Sequence, residues 1–362
     1  MFKSRFFCLL LFCFCQVACP LYAQSVRPKS KSFAGLTSAI EQQYGGVHSI
    51  LMAKSGKMLY EHYFNGFGAD SLHDTRSSFK SITSLLIGIA IDRGLIKNVN
   101  EKVSNFFPKE KSFATDTLKR RLTIKDLLEM RSGFDCDEWN DGKDCETEMT
   151  KTADWVKFSL ALPMKNAPGK VWAYTSCDPM IISGIIKKVS GMSIMDFAAR
   201  YLFTPMGITN YRWTVDPEGQ GMTAGSFYIL PSDMAKIGSL VLNNGRWKGK
   251  QVVSKRWILV STKATIPIPD FSFVRISRSK NAIPQPTFYG FYWYNENLTL
   301  NGQNFPMVIA SGNGGQYIIV IKKLDMVVVF TQGNFGTWKA KQAFDILAKF
   351  IIPSIGNGSR AN

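Results

Sequence analysis

Apolar positions recur along the chain at two spacings. Leu36, Ile40 and Tyr44 fall on one helical face, which predicts a helix over 33–44. Residues 47–53 and 57–64 then read as strands, joined at Ser55-Gly56, a dipeptide suited to a tight hairpin turn. Near the other end, 316–321 and 326–331 are again strand-like, and a last helix is predicted over 337–351. The middle differs. Residues 81–93 are apolar nearly all round (Ile82, Leu85, Leu86, Ile87, Ile89, Ile91) and stop at Gly94, so they predict a helix buried on every side. Further helices are predicted over 124–130, 154–162, 180–189, 194–201 and 232–242.

Sheet material at both ends with helices between them predicts an α+β fold. An antiparallel sheet is built from both chain ends and flanked by helices, with an inserted mostly helical domain. The expected division is 24–75 with 250–362 for the sheet domain and 76–249 for the helical domain. Apolar residues make up 45% of the chain and charged residues 20%, which excludes a disordered or collagen-like chain. The formal charge of +17 raises the question of a nucleic-acid partner. The basic residues are scattered, however, and no helix or loop concentrates them with aromatics, so no nucleic acid is expected.

The first 23 residues read as a secretory signal. Lys3 and Arg5 precede the apolar run 6–14, and Ala23 precedes polar Gln24, so cleavage after Ala23 and a periplasmic or secreted protein are expected. The run is far shorter than the roughly 20 residues a spanning helix needs, so no stable membrane insertion is expected. A lipid anchor through Cys19 is disfavoured by Gln16, where an aliphatic residue is usual. Cys8, Cys13, Cys15 and Cys19 leave with the signal, and Cys136, Cys145 and Cys177 remain. One disulfide and one free thiol are expected among these three. Cys136 and Cys145 bracket the turn Asn140-Asp141-Gly142 and can pair, while Cys177 can pair with either. Neither a CxxC pair nor an HExxH segment occurs, so no metal is expected.

Three segments carry candidate chemistry. Ser77 and Lys80 stand one helical turn apart where the buried helix begins, so hydroxyl and ammonium share a face. A lysine among apolar side chains loses its proton more easily and can activate a serine. Chance alone supplies on the order of two Ser-x-x-Lys matches here. Ser277 and Lys280 form the other, in a basic stretch with no apolar helix after it. Tyr174 and Ser176 are two apart, so on an extended segment both side chains point the same way. A core tyrosine would satisfy the same pattern. Ser311-Gly312-Asn313-Gly314-Gly315-Gln316 leads into a strand, where glycines allow a ligand close to the backbone or simply make a tight turn.

In this order the three segments resemble the serine β-lactamase and penicillin-binding-protein superfamily. The likeness is to its branch of β-lactamase-related serine hydrolases, which includes class C β-lactamases, esterases, D-aminopeptidases and 6-aminohexanoate-dimer hydrolases. The resemblance runs over about 47–351 and takes in the segments 122–133, 224–235, 244–253 and 289–293. It implies a five-stranded-type antiparallel α/β domain beside a helical one, with the active site at their interface. Carried over by position, Ser77 resembles the nucleophile, Lys80 its partner and Tyr174 the proton relay, with Ser176 ending the Tyr-x-Asn/Ser element. Asn313-Gly314-Gly315 matches the strand motif Lys/His-x-Gly, with Asn in place of the cation, and the backbone N–H groups of Ser77 and Gln316 would form the oxyanion hole. The resemblance implies an exported serine hydrolase that forms an acyl-enzyme on Ser77 and cleaves a small-molecule ester or amide without a cofactor. Esters or amides are expected ahead of β-lactams. The alternative is a catalytically idle envelope protein that binds peptide or peptidoglycan fragments in the same pocket. A Ser-His-Asp triad through His73 is disfavoured, because a residue just upstream of the serine rarely reaches its hydroxyl.

Overall fold

Ser55 and Gly56 both take positive φ, 50° and 73°, and fold β1 (Val47–Lys54) back on β2 (Lys57–Tyr63). Two successive left-handed residues match the twist of a two-residue hairpin. In the computed structural model of the protein, residues 33–356 are described. The expected signal segment, its cleavage point at Ala23 and the four early cysteines lie outside the described residues.

The other strands of the main sheet come from the last third of the chain. They are β3 (Ile266–Pro267), β4 (Phe288–Tyr289), β5 (Tyr294–Leu300), β6 (Gln303–Gly312), β7 (Gln316–Ile321) and β8 (Met326–Gln332). The order is β2-β1-β8-β7-β6-β5-β4-β3, antiparallel throughout. The sheet is thus built from both chain ends, and it is wider than the five-stranded type expected. Two of the additions, β3 and β4, are two-residue strands toward one edge of the sheet. Every residue of β7 and β8 is buried, as an unbroken apolar run in the middle of a covered sheet requires. At the seam between the two ends, the buried Ser49 and Thr331 hydroxyls bond across strands at 2.7 Å.

Helix α1 (Ala34–Gln43) lies near β2, its Thr37 hydroxyl bonded to Tyr60 at 2.8 Å. The expected all-round apolar helix is α2 (Phe79–Asp92), buried at every residue from Phe79 to Ala90. The helix α3 (Cys177–Ser190) ends at Gly191 in the left-handed conformation that closes helices. Helix α4 (Pro231–Leu242) falls within the stretch assigned to the helical domain, yet it packs on the sheet. A Cβ on its Gly238 would come within 2.4 Å of Val327, so glycine is what brings this helix so close. One hydrophobic cluster runs from Phe33 to Ile352 through both regions.

Two helices depart from the predicted regular form. Ile194–Ala198 runs on through a π turn, Ala199–Phe203, into Thr204–Met206. The last helix starts as a 3-10 turn at Trp338–Lys341, and a π turn at Leu347–Ile351 interrupts it. Pro205 and Pro353 each follow the π turn by two residues. A proline has no N–H for the carbonyl four residues back, and a widened turn accommodates the lost bond.

Candidate active site

The turn before α2 is held from three sides. Thr75 bonds Phe227 C=O through both its N–H and its hydroxyl, each at 2.8 Å. Asp74 accepts from the Arg76 N–H at 2.9 Å and pairs with its guanidinium at 3.0 Å. A Cβ on Gly312, at the end of β6, would come within 2.3 Å of Thr75 O. Arg76 itself takes φ 47°, a left-handed conformation that costs a non-glycine residue of order 1 kcal/mol. Such strain persists only where the surroundings over-determine it. The turn presents half-buried Ser77, and one helical turn on, Lys80 is 2% exposed.

The three donor positions of the Lys80 ammonium are all used. Its Nζ lies 3.1 Å from Ser77 Oγ, 3.4 Å from Ser176 Oγ and 2.8 Å from Ala224 O. It also stands 4.9 Å above the Tyr174 ring. Burial pushes Lys80 below the ordinary lysine range, while Glu146 and Glu138 pull it back up. Burial drives the Tyr174 phenol the other way, well above the usual tyrosine range, against hydrogen bonds to Ser77 and Tyr294. Ser77, Lys80, Tyr174 and Ser176, from two distant stretches of sequence, therefore meet around one ammonium group.

The Asn313 region lies differently from its expected alignment. Gly312, one residue ahead of the expected motif, makes the close pass at the Ser77 turn. Gly314 backs onto the Phe335 ring and Gly315 onto the Gln332 side chain, where added Cβ atoms would come within 2.4 and 2.5 Å. Gln316 is buried, with its side-chain amide donating to Gln332 O at 2.5 Å. Asn313 Oδ1 accepts the N–H groups of Gly314 at 2.8 Å and Gly336 at 3.0 Å. Its side chain thus ties the glycine turn to the Phe335 loop.

The other serine and histidine candidates lie apart. Ser277 caps its own helix through Val274 O at 2.7 Å, and no contact joins it to Lys280 among the described residues. His73 packs at a tilt against Phe67 and His48 at ring separations of 5.0 and 5.5 Å, and among the described residues no bond links it to Ser77.

Sequence reasoning expected one disulfide and one free thiol but did not single out Glu138, Glu146 or Trp139. Cys136 and Cys145 form the disulfide, and Cys177 is a buried free thiol whose pKa burial pushes up to about 12. The bridge brings Glu138 and Glu146 to Ser176. Glu138 accepts the Ser176 N–H at 2.7 Å, and its N–H returns a bond to Tyr174 O at 2.8 Å. The Ser176 hydroxyl lies 3.0 Å from Glu138 Oε2 and 2.5 Å from Glu146 Oε2. Trp139, 42% exposed, stacks on Tyr174 at 4.9 Å and meets Trp172 and Phe271, each at 5.2 Å. The one available signal was that both glutamates adjoin cysteines, but nothing local tells which way the loop folds.

Against known proteins, the family described as Beta-lactamase matches residues 34–349. The chain belongs to the beta-lactamase family. The 6-aminohexanoate-dimer hydrolase of Paenarthrobacter ureafaciens is 22% identical over 301 residues, 78% of this chain and 71% of that one. Penicillin-binding protein 4* of Bacillus subtilis (strain 168) is 25% identical over 228 residues, 57% of this chain and 48% of that one, so the chain's match spans about half of that relative. Among solved structures, a family VIII carboxylesterase superposes with a TM-score of 0.67 at 17% identity, covering 88% of this chain and 97% of that one. At that identity the likeness shows the fold alone.

Proposed function

We propose that the protein is an exported serine hydrolase in which Ser77 attacks a carbonyl and carries the acyl group. The observation that carries this reading is the 3.1 Å contact between Lys80 Nζ and Ser77 Oγ at the start of a buried helix. The opposite shifts of Lys80 and Tyr174 divide the proton work between them. Lys80, disfavoured as an ammonium by burial, takes the Ser77 proton as the free amine. Tyr174, held as a neutral phenol, passes a proton to the leaving group as it regains one from Lys80, so both end as they began. Water then releases the acyl group.

The oxyanion hole pairs the Ser77 N–H with one from the end of β6. Asn313 N–H takes that place in preference to Gln316, because Gly312 makes the approach to the Ser77 turn. Among the described residues neither the Ser77 nor the Asn313 N–H has a hydrogen-bond partner. Preorganised donors of this kind contribute about 3–4 kcal/mol to the transition state.

Esters or small amides fit better than β-lactams. Asn313 is neutral and its side-chain oxygen is already engaged, so it offers no charge to a carboxylate. Arg76, the cation beside Ser77, is paired to Asp74 and lies over Phe335 at 5.1 Å. The test combines phosphonate labelling with steady-state kinetics on p-nitrophenyl acetate and nitrocefin. The adduct is expected on Ser77, with turnover of the ester well ahead of nitrocefin and both label and turnover lost in Ser77→Ala. An adduct elsewhere, or wild-type ester hydrolysis by Ser77→Ala, would overturn the reading. A chain that neither labels nor turns over substrate would favour the idle binding protein.

A further inference from the structure

The Ser176 hydroxyl has one proton, yet three groups converge on its oxygen. Lys80 Nζ is 3.4 Å away, Glu138 Oε2 3.0 Å and Glu146 Oε2 2.5 Å. A hydroxyl donates once and accepts twice. Lys80 has only donors to offer, so it fills one accepting place. If both carboxyls were ionised, one would receive the Ser176 proton and the other would face the oxygen lone pair to lone pair. The count closes only when one carboxyl carries a proton and donates it to Ser176. The distances say which. A hydroxyl donating to a carboxylate sits at about 2.5–2.7 Å, the Glu146 contact, whereas the 3.0 Å Glu138 contact is ordinary for neutral partners.

Resting on the reading of Ser77 and Lys80 above, we propose that Glu138 and Glu146 are a positioning pair sharing one proton. Neutral Glu138 donates to Ser176, Ser176 donates to ionised Glu146, and the single remaining charge balances Lys80 beside the nucleophile. The Cys136–Cys145 bridge sets the pair's spacing, with Glu138 two residues inside it and Glu146 immediately after it. Burial favours the neutral form of Glu138, although the charge on Lys80 and the Ser176 N–H oppose it. The same neighbourhood holds Asp178, whose carboxyl burial pushes well above the usual carboxylate range, with Asp74, Cys177 and Tyr174 also facing the group. None of these touches Ser176 Oγ among the described residues.

The pair separates two isosteric changes. In Glu146→Gln the charge that favours the Lys80 ammonium is gone, so Lys80 loses its proton more easily. The acid limb of the kcat/KM profile on p-nitrophenyl acetate is expected to move to lower pH by about one unit. In Glu138→Ala kcat is expected to fall about tenfold and to recover most of that loss in Glu138→Gln, which restores an N–H donor toward Ser176. A purely structural role would change the thermal midpoint and leave the acid limb in place.

Infrared difference spectra provide a reading that needs no turnover. At neutral pH a protonated-carboxyl band is expected in the unmodified protein and in Ser77→Ala, lost in Glu138→Gln and retained in Glu146→Gln. Any contribution of Asp178 is common to the variants and cancels in these differences. A Glu146→Gln profile superimposed on wild type, or a band untouched by Glu138→Gln, would overturn the proposal. So would a band lost only in Glu146→Gln. Should a variant fold poorly, pH titration of the band in the unmodified protein gives the same decision. If Ser77→Ala kept its activity, the reading of Ser77 would fail while the spectra still judged the pair.

Discussion

At the scale of single residues, Gly312 decides how β6 meets the Ser77 turn. Its missing side chain leaves 2.3 Å between an ideal Cβ position and Thr75 O, and a backbone oxygen does not swing aside as a flexible side chain would. Gly312→Ala is therefore expected to push the strand end away from the turn. A displacement near 1 Å at a reacting centre costs on the order of 100-fold in rate. Steady-state kinetics should show kcat/KM falling by about that factor while the circular dichroism spectrum stays native; an unchanged kcat/KM would refute the placement. Here the sequence was legible only in part. Ser77 and Lys80 could be placed together because helical spacing fixes which side chains share a face, whereas Tyr174 and Ser176 stood out only through the resemblance to a known family. That Gly312 makes the close approach to the turn was not readable, because three glycines within four positions offer several equivalent registers, and only the packed turn selects among them.

At the scale of elements, the interior of α2 admits no spare methyl. A Cβ on Gly88 would fall 2.2 Å from the Trp257 ring, whose Nε1 is anchored to Ser84 O at 2.9 Å. Alanine gains about 1 kcal/mol over glycine in a helix, but overpacking costs about 1–3 kcal/mol. Gly88→Ala should thus lower the thermal midpoint by a few degrees, while Gly35→Ala in α1, where an added Cβ meets open space among the described residues, should leave it unchanged or raise it slightly. Calorimetry on the two variants tests the contrast, and matching midpoints would refute it. Apolar periodicity announced α2 and the terminal hairpins because those segments bury a regular face. It missed β5 and β6, where Glu296 stands at a buried position of an otherwise alternating strand and Pro306 interrupts the run. Tertiary pairing across their ladder overrides that local pattern.

For the whole molecule, acid stability turns on the stacked histidines. His48 and His73 both pack against Phe67, and among the described residues His73 Nε2 and His48 Nδ1 have no hydrogen-bond partner. Burial lowers both pKa values, that of His73 to about 4, with His48 adding repulsion. A histidine lowered in this way binds its proton more readily when unfolded. Its contribution is present above the ordinary value of 6.5 and is lost as pH falls from there toward 4. Several buried carboxyls are shifted upward and act in the opposite sense, so the test is a difference. Relative to His73→Phe, the unmodified protein should lose about 1–3 kcal/mol between pH 7 and pH 4 in urea unfolding. Parallel curves for the two proteins would dismiss the effect.

The seam between β1 and β8 joins Val47–Lys54 to Met326–Gln332, and the turn before Ser77 leans on Phe227 and Gly312. Contacts separated by hundreds of residues form slowly, because the intervening chain must be gathered before any bond rewards it. An emerging polypeptide therefore presents Ser77 early and its surroundings last. Until β6 and β8 have been made, Ser77 has neither its wall at Gly312 nor a closed sheet behind it. The geometry on which the proposed catalysis rests is consequently complete only once the last strands have paired.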